Sequence, residues 1–274
     1  MPTIRSFLFV PASRMDRVEK ALATSADAII IDLEDAVALN AKDQARTDLG
    51  QWLSQQNSLH RVWVRINPLN TDLGQADFDV LGHIGLAGWV LPKAEDVAAV
   101  EKVAQGKHSQ SQLALLIETA IGIDKARELA KCSGVTRLMF GTIDFQLDMS
   151  MKCDALESQL DGFRLQLTLA SRLAGLHPPV DGVTVTTDDS DLLAKTVAKS
   201  RSFGFGAKLC IHPKQVNTVN TGFMPSAEEF DWAQRVIEGE RTHQGAAFSI
   251  DGKMIDRPVI ELAQRVIQQH QREA

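Results

Sequence analysis

The feature that most constrains this sequence is a repeated alternation of short apolar segments with longer amphipathic ones. Each apolar segment is mostly rich in Val, Ile, Leu or Phe and closes at a polar or turn residue, as strands buried in a parallel sheet do. The eight segments are Ser6–Val10, Ala28–Ile31, Val62–Ile66, Gly88–Leu91, Leu113–Ile117, Arg137–Phe140, Gly182–Val185 and Ala207–Ile211. Eight strands joined by helices predict a closed (β/α)₈ TIM barrel. An open doubly wound sheet gives a similar alternation, but no glycine-rich phosphate loop follows the first segment.

The pattern changes near the end of the chain. We predict a catalytic barrel over residues 1–222 and a C-terminal helical extension over residues 223–274. Ser226 and Glu229 have the spacing of a capping box for a helix from Ala227 to Gly239, and a last helix begins near Pro258. The extension has no place in an eight-unit barrel, so it packs on a neighbouring subunit or folds back on its own barrel.

Composition excludes several classes of partner. A net charge of −6 argues against a nucleic-acid groove or an anionic membrane surface as the main partner. Three cysteines without CxxC spacing predict neither a disulfide framework nor a structural zinc site, and favour a reducing compartment. The N-terminus lacks the pattern of a signal peptide, and no apolar run is long enough to span a bilayer. We therefore expect a soluble, cytoplasmic enzyme.

Two acidic residues follow consecutive predicted strands. Glu118 comes directly after Leu113–Ile117, and Asp144 follows Phe140 by four residues. Catalytic groups of a barrel stand at the carboxyl ends of its strands, so these carboxylates are expected to lie close together and to repel each other. A hard divalent cation such as Mg²⁺ removes that repulsion. The alternative for either acid alone is a helix cap or an ion pair with an arginine.

An arginine in an apolar strand needs an anionic partner. Arg65 can pair with the acidic cluster Asp32-Leu33-Glu34-Asp35, clamp a substrate carboxylate, or do both. The cluster is expected to orient Arg65 and metal-bound water. We count Arg65 and Glu34 among the candidate catalytic residues.

The first predicted strand leads into a possible anion site. Arg14 begins the first predicted helix and Lys20 lies further along it, so a helix N-terminus and two cations could meet a phosphate. By itself this signal is weak, because exposed helix faces commonly carry Arg and Lys.

Taken in order, these segments resemble the citrate lyase beta-subunit-like branch of the CoA-ester lyases. This branch belongs to the HpcH/HpaI aldolase superfamily and is related to the malyl-CoA and citramalyl-CoA lyases. The resemblance covers nearly the whole chain and is closest to stand-alone citramalyl-CoA lyases. Its blocks are Phe7–Pro11 with Ser13-Arg14, Ala26–Val37, Val64–Asn67, Leu91–Lys93, Ile117–Thr119, Phe140–Asp144, Gly206–Gln215 and Asp251–Asp256.

The resemblance implies specific roles and an assembly. Glu118 and Asp144 would bind Mg²⁺, and Arg65 would hold the carboxylate of a 2-oxo acid. Asp256 would act as acid/base in a neighbouring subunit's site, within a homotrimer or hexamer. The residues that would border the CoA-thioester site are Phe9, Arg14 and Lys20.

The implied reaction is cleavage of a 3-hydroxyacyl-CoA, with (3S)-citramalyl-CoA giving acetyl-CoA and pyruvate as the best candidate. Three alternatives stay open: a citryl-CoA lyase that gives oxaloacetate, working with an acyl-carrier subunit; a malyl-CoA lyase; and an enzyme that also hydrolyses the thioester, as malate synthase does.

Overall fold

Eight parallel strands pair in chain order, and the first pairs with the last, so the barrel is closed. The computed structural model describes residues 4–243 and 246–271. The barrel strands are β1 (Ser6–Pro11), β2 (Ala28–Asp32), β3 (Val62–Arg65), β4 (Gly88–Leu91), β5 (Gln112–Ile117), β6 (Val135–Phe140), β7 (Val180–Asp181) and β8 (Ala207–Cys210). The predicted TIM barrel is confirmed, and the open sheet is excluded.

Helices alternate with the strands and continue beyond them. They are α1 (Met15–Leu22), α2 (Lys42–Ser54), α3 (Asp72–Leu81), α4 (Val97–Gly106), α5 (Ala120–Asp124), α6 (Ala126–Leu129), α7 (Thr142–Asp148), α8 (Asp161–Leu173), α9 (Ser190–Ser202), α10 (Pro213–Gly222), α11 (Ala227–His243) and α12 (Arg257–Gln271). The segment after β5 forms two short helices, α5 and α6. The short helix α7 was not predicted, and it carries Asp144. Within the described residues, no helix is both long and apolar enough to cross a membrane.

The seventh strand was predicted at the wrong place. Gly182–Val185 is the apolar run, but the strand is Val180–Asp181, which pairs with β6 and β8. The sequence misleads here because Asp181 is a buried strand residue, only 1% exposed, whose charge is balanced by neighbouring cations.

Alternation along the strands decides which side chains fill the barrel. Phe7 on β1 and Trp63 on β3 meet edge to face in the core, with ring centroids 5.3 Å apart. Gly88 on β4 leaves room for this indole ring, since a Cβ there would overlap it. Because successive side chains of a strand point to opposite faces, the residue two positions after a core residue faces the same interior. A residue at the end of a strand that continues this inward series therefore points toward the barrel axis.

A buried ion network attaches two helices to β7. The carboxylate of Asp181 accepts from Arg164 Nε of α8 at 3.1 Å and from Ser200 Oγ of α9 at 2.5 Å. Lys208 on β8 lies across the register from it, with its Nζ 3.9 Å away. Burial raises the pKa of Asp181, but Lys208 and Arg164 outweigh that effect and hold the pKa below its usual range.

The barrel unit covers Ile4–Asn220, and a second compact unit begins at Thr221. In the second unit α11 and α12 pack together around Val236 and Ile260, with an antiparallel hairpin of β9 (Phe248–Ile250) and β10 (Lys253–Ile255). The predicted capping box is present: Ser226 N donates to Glu229 Oε2 at 2.8 Å, and Glu229 N donates to Ser226 Oγ at 3.1 Å.

The ion network of β7 gives a stability prediction. Asp181→Asn removes the carboxylate that faces buried Lys208 and one of the carboxylates that contact Arg164, so we expect the free energy of unfolding to fall by about 3 kcal/mol. Asp161→Asn is the matched control, because Asp161 also contacts Arg164 but is partly exposed, and it should cost less than about 1 kcal/mol. Urea denaturation measures both. Equal losses would mean that the buried network contributes no more than a surface ion pair.

Candidate active site

The candidate site lies at the carboxyl end of the barrel, where inward-facing positions change from apolar to charged. On β2 the inward series Ala28, Ile30 is continued by Asp32, and on β5 the series Ala114, Leu116 is continued by Glu118. The strands thus deliver both carboxylates into the mouth of the barrel.

These side chains surround a cavity of about 360 Å³. Its acidic members are Asp32, Asp35, Glu118 and Asp144, and Arg65 is its cationic member. The remaining wall is small or apolar and is formed by Phe9, Ala36, Leu116, Phe140, Gly141, Thr142, Ile143, Val183, Leu209 and Ile211. The charged groups lie on β2, β3 and α7 and just after β2 and β5, whereas β8, β1 and the segment after β7 supply apolar groups. The cavity therefore has a charged side and an apolar side.

Arg65 is held by two carboxylates. Asp32 is its register partner across β2 and β3, and it accepts from Nε and Nη2 at 2.7 Å each. Nη1 lies 2.8 Å from Glu34 Oε2, and the guanidinium carbon lies 4.9 Å from the centroid of the Phe9 ring. Asp32 takes two of the five guanidinium N–H groups and Glu34 pairs with Nη1, so the N–H groups that remain can meet a ligand. The structural and the ligand-clamping interpretations of Arg65 are thus compatible.

Glu34 lies behind the cavity wall rather than on it. Its second oxygen accepts from Lys93 Nζ at 2.7 Å, so the carboxylate is held between Arg65 and Lys93. Burial raises the pKa of Glu34, with Arg65 and Lys93 opposing that effect. This position fits a group that orients Arg65 better than one that touches substrate.

Lys93, to which sequence reasoning gave no role, contacts two acids of the site. Its backbone has φ 45°, in the left-handed region that is unfavourable for side chains other than glycine and, to a lesser degree, asparagine. In that conformation the Lys93 N–H donates to Glu118 Oε1 at 2.7 Å. One oxygen of Glu118 is therefore fixed by backbone, and the other remains available to a ligand.

Glu118 is the most perturbed acid of the site. It is only 1% exposed. Burial, together with the charges of Glu34 and Asp144, raises its pKa to about 8, although the hydrogen bond from Lys93 and the charge of Arg65 lower it. Gly141, directly after β6, makes room for it, since a Cβ there would come within 2.6 Å of Glu118 Oε2. A buried carboxylate beside other acids is the environment in which a bound cation relieves the greatest charge repulsion.

The other predicted residues lie in three places. Phe9 lines the cavity, as expected for a substrate-contacting residue. Arg14 and Lys20 are exposed at the start and in the last turn of α1, and Arg14 is paired with Asp16 at 2.9 Å. Asp256 belongs to the second unit, where its carbonyl accepts from Ile260 N as α12 begins.

Comparison with known proteins assigns the family. The family model for HpcH/HpaI aldolase/citrate lyase matches residues 5–213, which is the barrel with all its site residues. The chain belongs to this family. Membership makes it an enzyme of the lyase type, and the resemblance found in the sequence is confirmed at the level of the family.

Relatives within the family carry different names. A (3S)-malyl-CoA thioesterase of Cereibacter sphaeroides is 36% identical over 270 residues, which is 96% of this chain and 93% of that protein. A citrate lyase subunit beta-like protein of Deinococcus radiodurans is 32% identical, with 96% of both chains covered. The crystal structure of CitE from Mycobacterium tuberculosis, in complex with magnesium, acetoacetate and coenzyme A, matches with a TM-score of 0.86 and 30% identity, covering 97% of this chain and 98% of that one.

The pKa of Glu118 predicts a pH-dependent stability in this lyase. The folded-state pKa of about 8 lies above the value near 4.3 of an unfolded chain, so the wild type loses stability as pH rises between them. Glu118→Gln cannot ionise. With chelator present, we expect this variant to be more stable than wild type by about 2 kcal/mol or more at pH 8, and by little at pH 4.5.

Urea denaturation at the two pH values measures this difference. Glu101→Gln, on the exposed face of α4, is the control and should show no such dependence. A stability difference for Glu118→Gln that is the same at both pH values would mean that Glu118 ionises normally.

Proposed function

We propose that this enzyme is a Mg²⁺-dependent carbon–carbon lyase that cleaves (3S)-citramalyl-CoA to acetyl-CoA and pyruvate. The observation that carries the proposal is the cavity itself, which combines Glu118 and Asp144 with one arginine and an otherwise apolar wall. Family membership supports the reaction class, and the details of the site support the substrate.

The acids at the site fit a magnesium ion. Glu118 has one oxygen fixed by Lys93 and one oriented past Gly141, and the charge of Asp144 raises its pKa. Within residues 4–243 and 246–271, no three His, Cys, Asp or Glu side chains form a metal-binding group. A two-carboxylate site suits Mg²⁺, which completes its shell with water and substrate oxygens. When bound there, the ion acts as a Lewis acid that stabilises negative charge on the substrate's hydroxyl oxygen. The magnesium in the CitE crystal structure supports this choice.

Arg65 positions the substrate. Arg65 lines the cavity, so N–H groups that Asp32 and Glu34 do not use can donate to the substrate carboxylate while these two acids hold the guanidinium in place. Holding the carboxylate at a fixed side of the cavity aligns the bond that breaks with the groups that assist the reaction.

Asp256 is the proposed base. It takes the proton of the hydroxyl group, whose oxygen then forms the ketone of pyruvate. The carbon–carbon bond breaks, and its electron pair passes to the thioester as an enolate, which takes up a proton to give acetyl-CoA. We propose that Asp256 serves the barrel of a neighbouring subunit in a homotrimer or hexamer.

The charge of the cavity favours citramalyl-CoA over citryl-CoA. Citryl-CoA carries a carboxymethyl group, and with it a second carboxylate, on the carbon that bears the hydroxyl group, where citramalyl-CoA carries a methyl group. Among the cavity residues that the structure describes, Arg65 is the single cation, whereas Val183, Leu209 and Ile211 form an apolar side. A methyl group fits that side, and a second carboxylate would be buried there unpaired.

Malyl-CoA is the second candidate. It differs from citramalyl-CoA by one methyl group, which a hydrophobic pocket distinguishes only weakly. The name of the Cereibacter sphaeroides relative supports this candidate and also thioester hydrolysis. Coenzyme A in the CitE crystal structure supports a CoA ester rather than a carrier-protein thioester as substrate.

A substrate screen tests the proposal. Citramalyl-, malyl- and citryl-CoA are offered with Mg²⁺, and acetyl-CoA, the oxo acid and free thiol are measured. We expect kcat/KM for citramalyl-CoA to exceed that for malyl-CoA by about 10-fold, with citryl-CoA the poorest. Free thiol should not appear. Free thiol formed at the rate of cleavage would instead identify a thioesterase, and no cleavage of any ester would refute the lyase.

Mixing two inactive variants tests the role of Asp256. Asp256→Asn lacks the base, and Glu118→Ala lacks a metal ligand, so each alone should lose at least about 100-fold in kcat. If the base comes from a neighbouring subunit, mixed oligomers contain sites with both native residues and regain activity after subunit exchange. Activity that stays at the level of the separate variants, in mixtures shown to contain mixed oligomers, would place Asp256 in its own chain's site or outside any site.

A further inference from the structure

The hydroxyl group of Thr142 is buried in the cavity wall without a partner. Thr142 is 1% exposed and lines the cavity, and no described residue forms a hydrogen bond with its Oγ1. Thr168 of the barrel unit is satisfied by contrast, because its Oγ1 donates to the carbonyl of Phe203 at 2.8 Å. A buried hydroxyl with no partner lowers stability, because it has lost its hydrogen bonds to water.

The position of Thr142 relates this hydroxyl to the site. It follows Gly141, which adjoins Glu118, and it precedes Asp144 by two residues on α7. On its other side is Gly182, just after β7, where an added Cβ would overlap Oγ1. Thr142 therefore stands where the charged side of the cavity meets the apolar side formed by Val183 and its neighbours.

The volume of the side chain does not explain why residue 142 is a threonine. Valine has nearly the same volume, and in an apolar wall it would carry no cost for an unpaired hydroxyl group. Thr142 lines the same cavity as Glu118 and Asp144, so an oxygen of a ligand bound there can supply the missing partner. Threonine is the residue expected if that oxygen arrives with the substrate.

We propose that the Thr142 hydroxyl donates a hydrogen bond to the carboxylate of the 2-oxo acid portion of the substrate. This inference rests on the proposed lyase function. The hydroxyl and carboxylate of the substrate are the groups expected beside Glu118 and Asp144, and the carboxylate has acceptor sites for Thr142 in addition to those that meet Arg65. The bond orients the carbinol carbon so that its methyl group faces the apolar side, which makes Thr142 a positioning and specificity residue.

The test compares Thr142→Val, which removes the hydroxyl group, with Thr142→Ser, which keeps it. With Mg²⁺ present, calorimetry measures binding of pyruvate and, separately, of acetyl-CoA. We expect Thr142→Val to bind pyruvate about 10- to 100-fold more weakly than wild type, as for a hydrogen bond to a charged group. Thr142→Ser should stay within a few-fold of wild type, and acetyl-CoA affinity should be unchanged in both variants.

Thermal unfolding without ligand gives a second readout that a merely structural threonine would not produce. Thr142→Val should raise Tm by about 2 °C or more, because it removes the unpaired hydroxyl. Thr168→Val is the matched control, and it should lower Tm because that hydroxyl has a partner in the fold.

The outcomes separate the two proposals. If wild-type protein binds pyruvate and Thr142→Val binds it equally well, the role of Thr142 is refuted and the lyase function stands. A lower Tm for Thr142→Val would show that the fold itself uses the hydroxyl, and a loss of acetyl-CoA affinity alone would assign it to the thioester; either overturns the proposal. If wild-type protein neither binds pyruvate nor cleaves the CoA ester, the lyase function fails and this inference fails with it.

Discussion

The ion pair between Asp32 and Arg65 is the interaction around which the site is arranged. Both residues lie at the carboxyl end of their strands and are register partners, so the pairing of β2 with β3 brings them together at 2.7 Å. Arg65 would be costly to bury alone, and the carboxylates of Asp32 and Glu34 would repel each other without it. Because Arg65 and these two carboxylates offset one another's charge, further acids can lie at the mouth of the barrel.

That arrangement leaves Glu118 as the acid without a full counter-charge. Glu34 is paired with Arg65 and Lys93, whereas Glu118 receives a single backbone N–H from Lys93. Burial, together with the charges of Glu34 and Asp144, raises the pKa of Glu118. A cation at Glu118 and Asp144 would complete the charge balance, so the same feature that destabilises the empty fold favours metal binding.

The division of the cavity follows from strand order. The charged groups of the cavity belong to the part of the barrel from β2 to β6. Lys93, which follows β4, contacts Glu34 and Glu118 without lining the cavity. Strands β8 and β1 and the segment after β7 close the other side with apolar residues. This division matches a substrate whose carbinol carbon carries a carboxylate and a hydroxyl group on one side and a methyl group on the other. Thr142 lies at the boundary between the two sides of the cavity.

The sequence by itself determined the barrel, the strands other than β7, and the acids and arginine of the site. These follow from the alternation of short apolar runs and from polar residues at strand ends, which are local patterns. It did not reveal the strand at Val180–Asp181, because only tertiary contacts show that the buried aspartate is neutralised by Arg164 and Lys208. The left-handed backbone of Lys93 and the unpaired hydroxyl of Thr142 were hidden for the same reason. Each depends on which atoms surround a group in three dimensions, and no local pattern of residues specifies that.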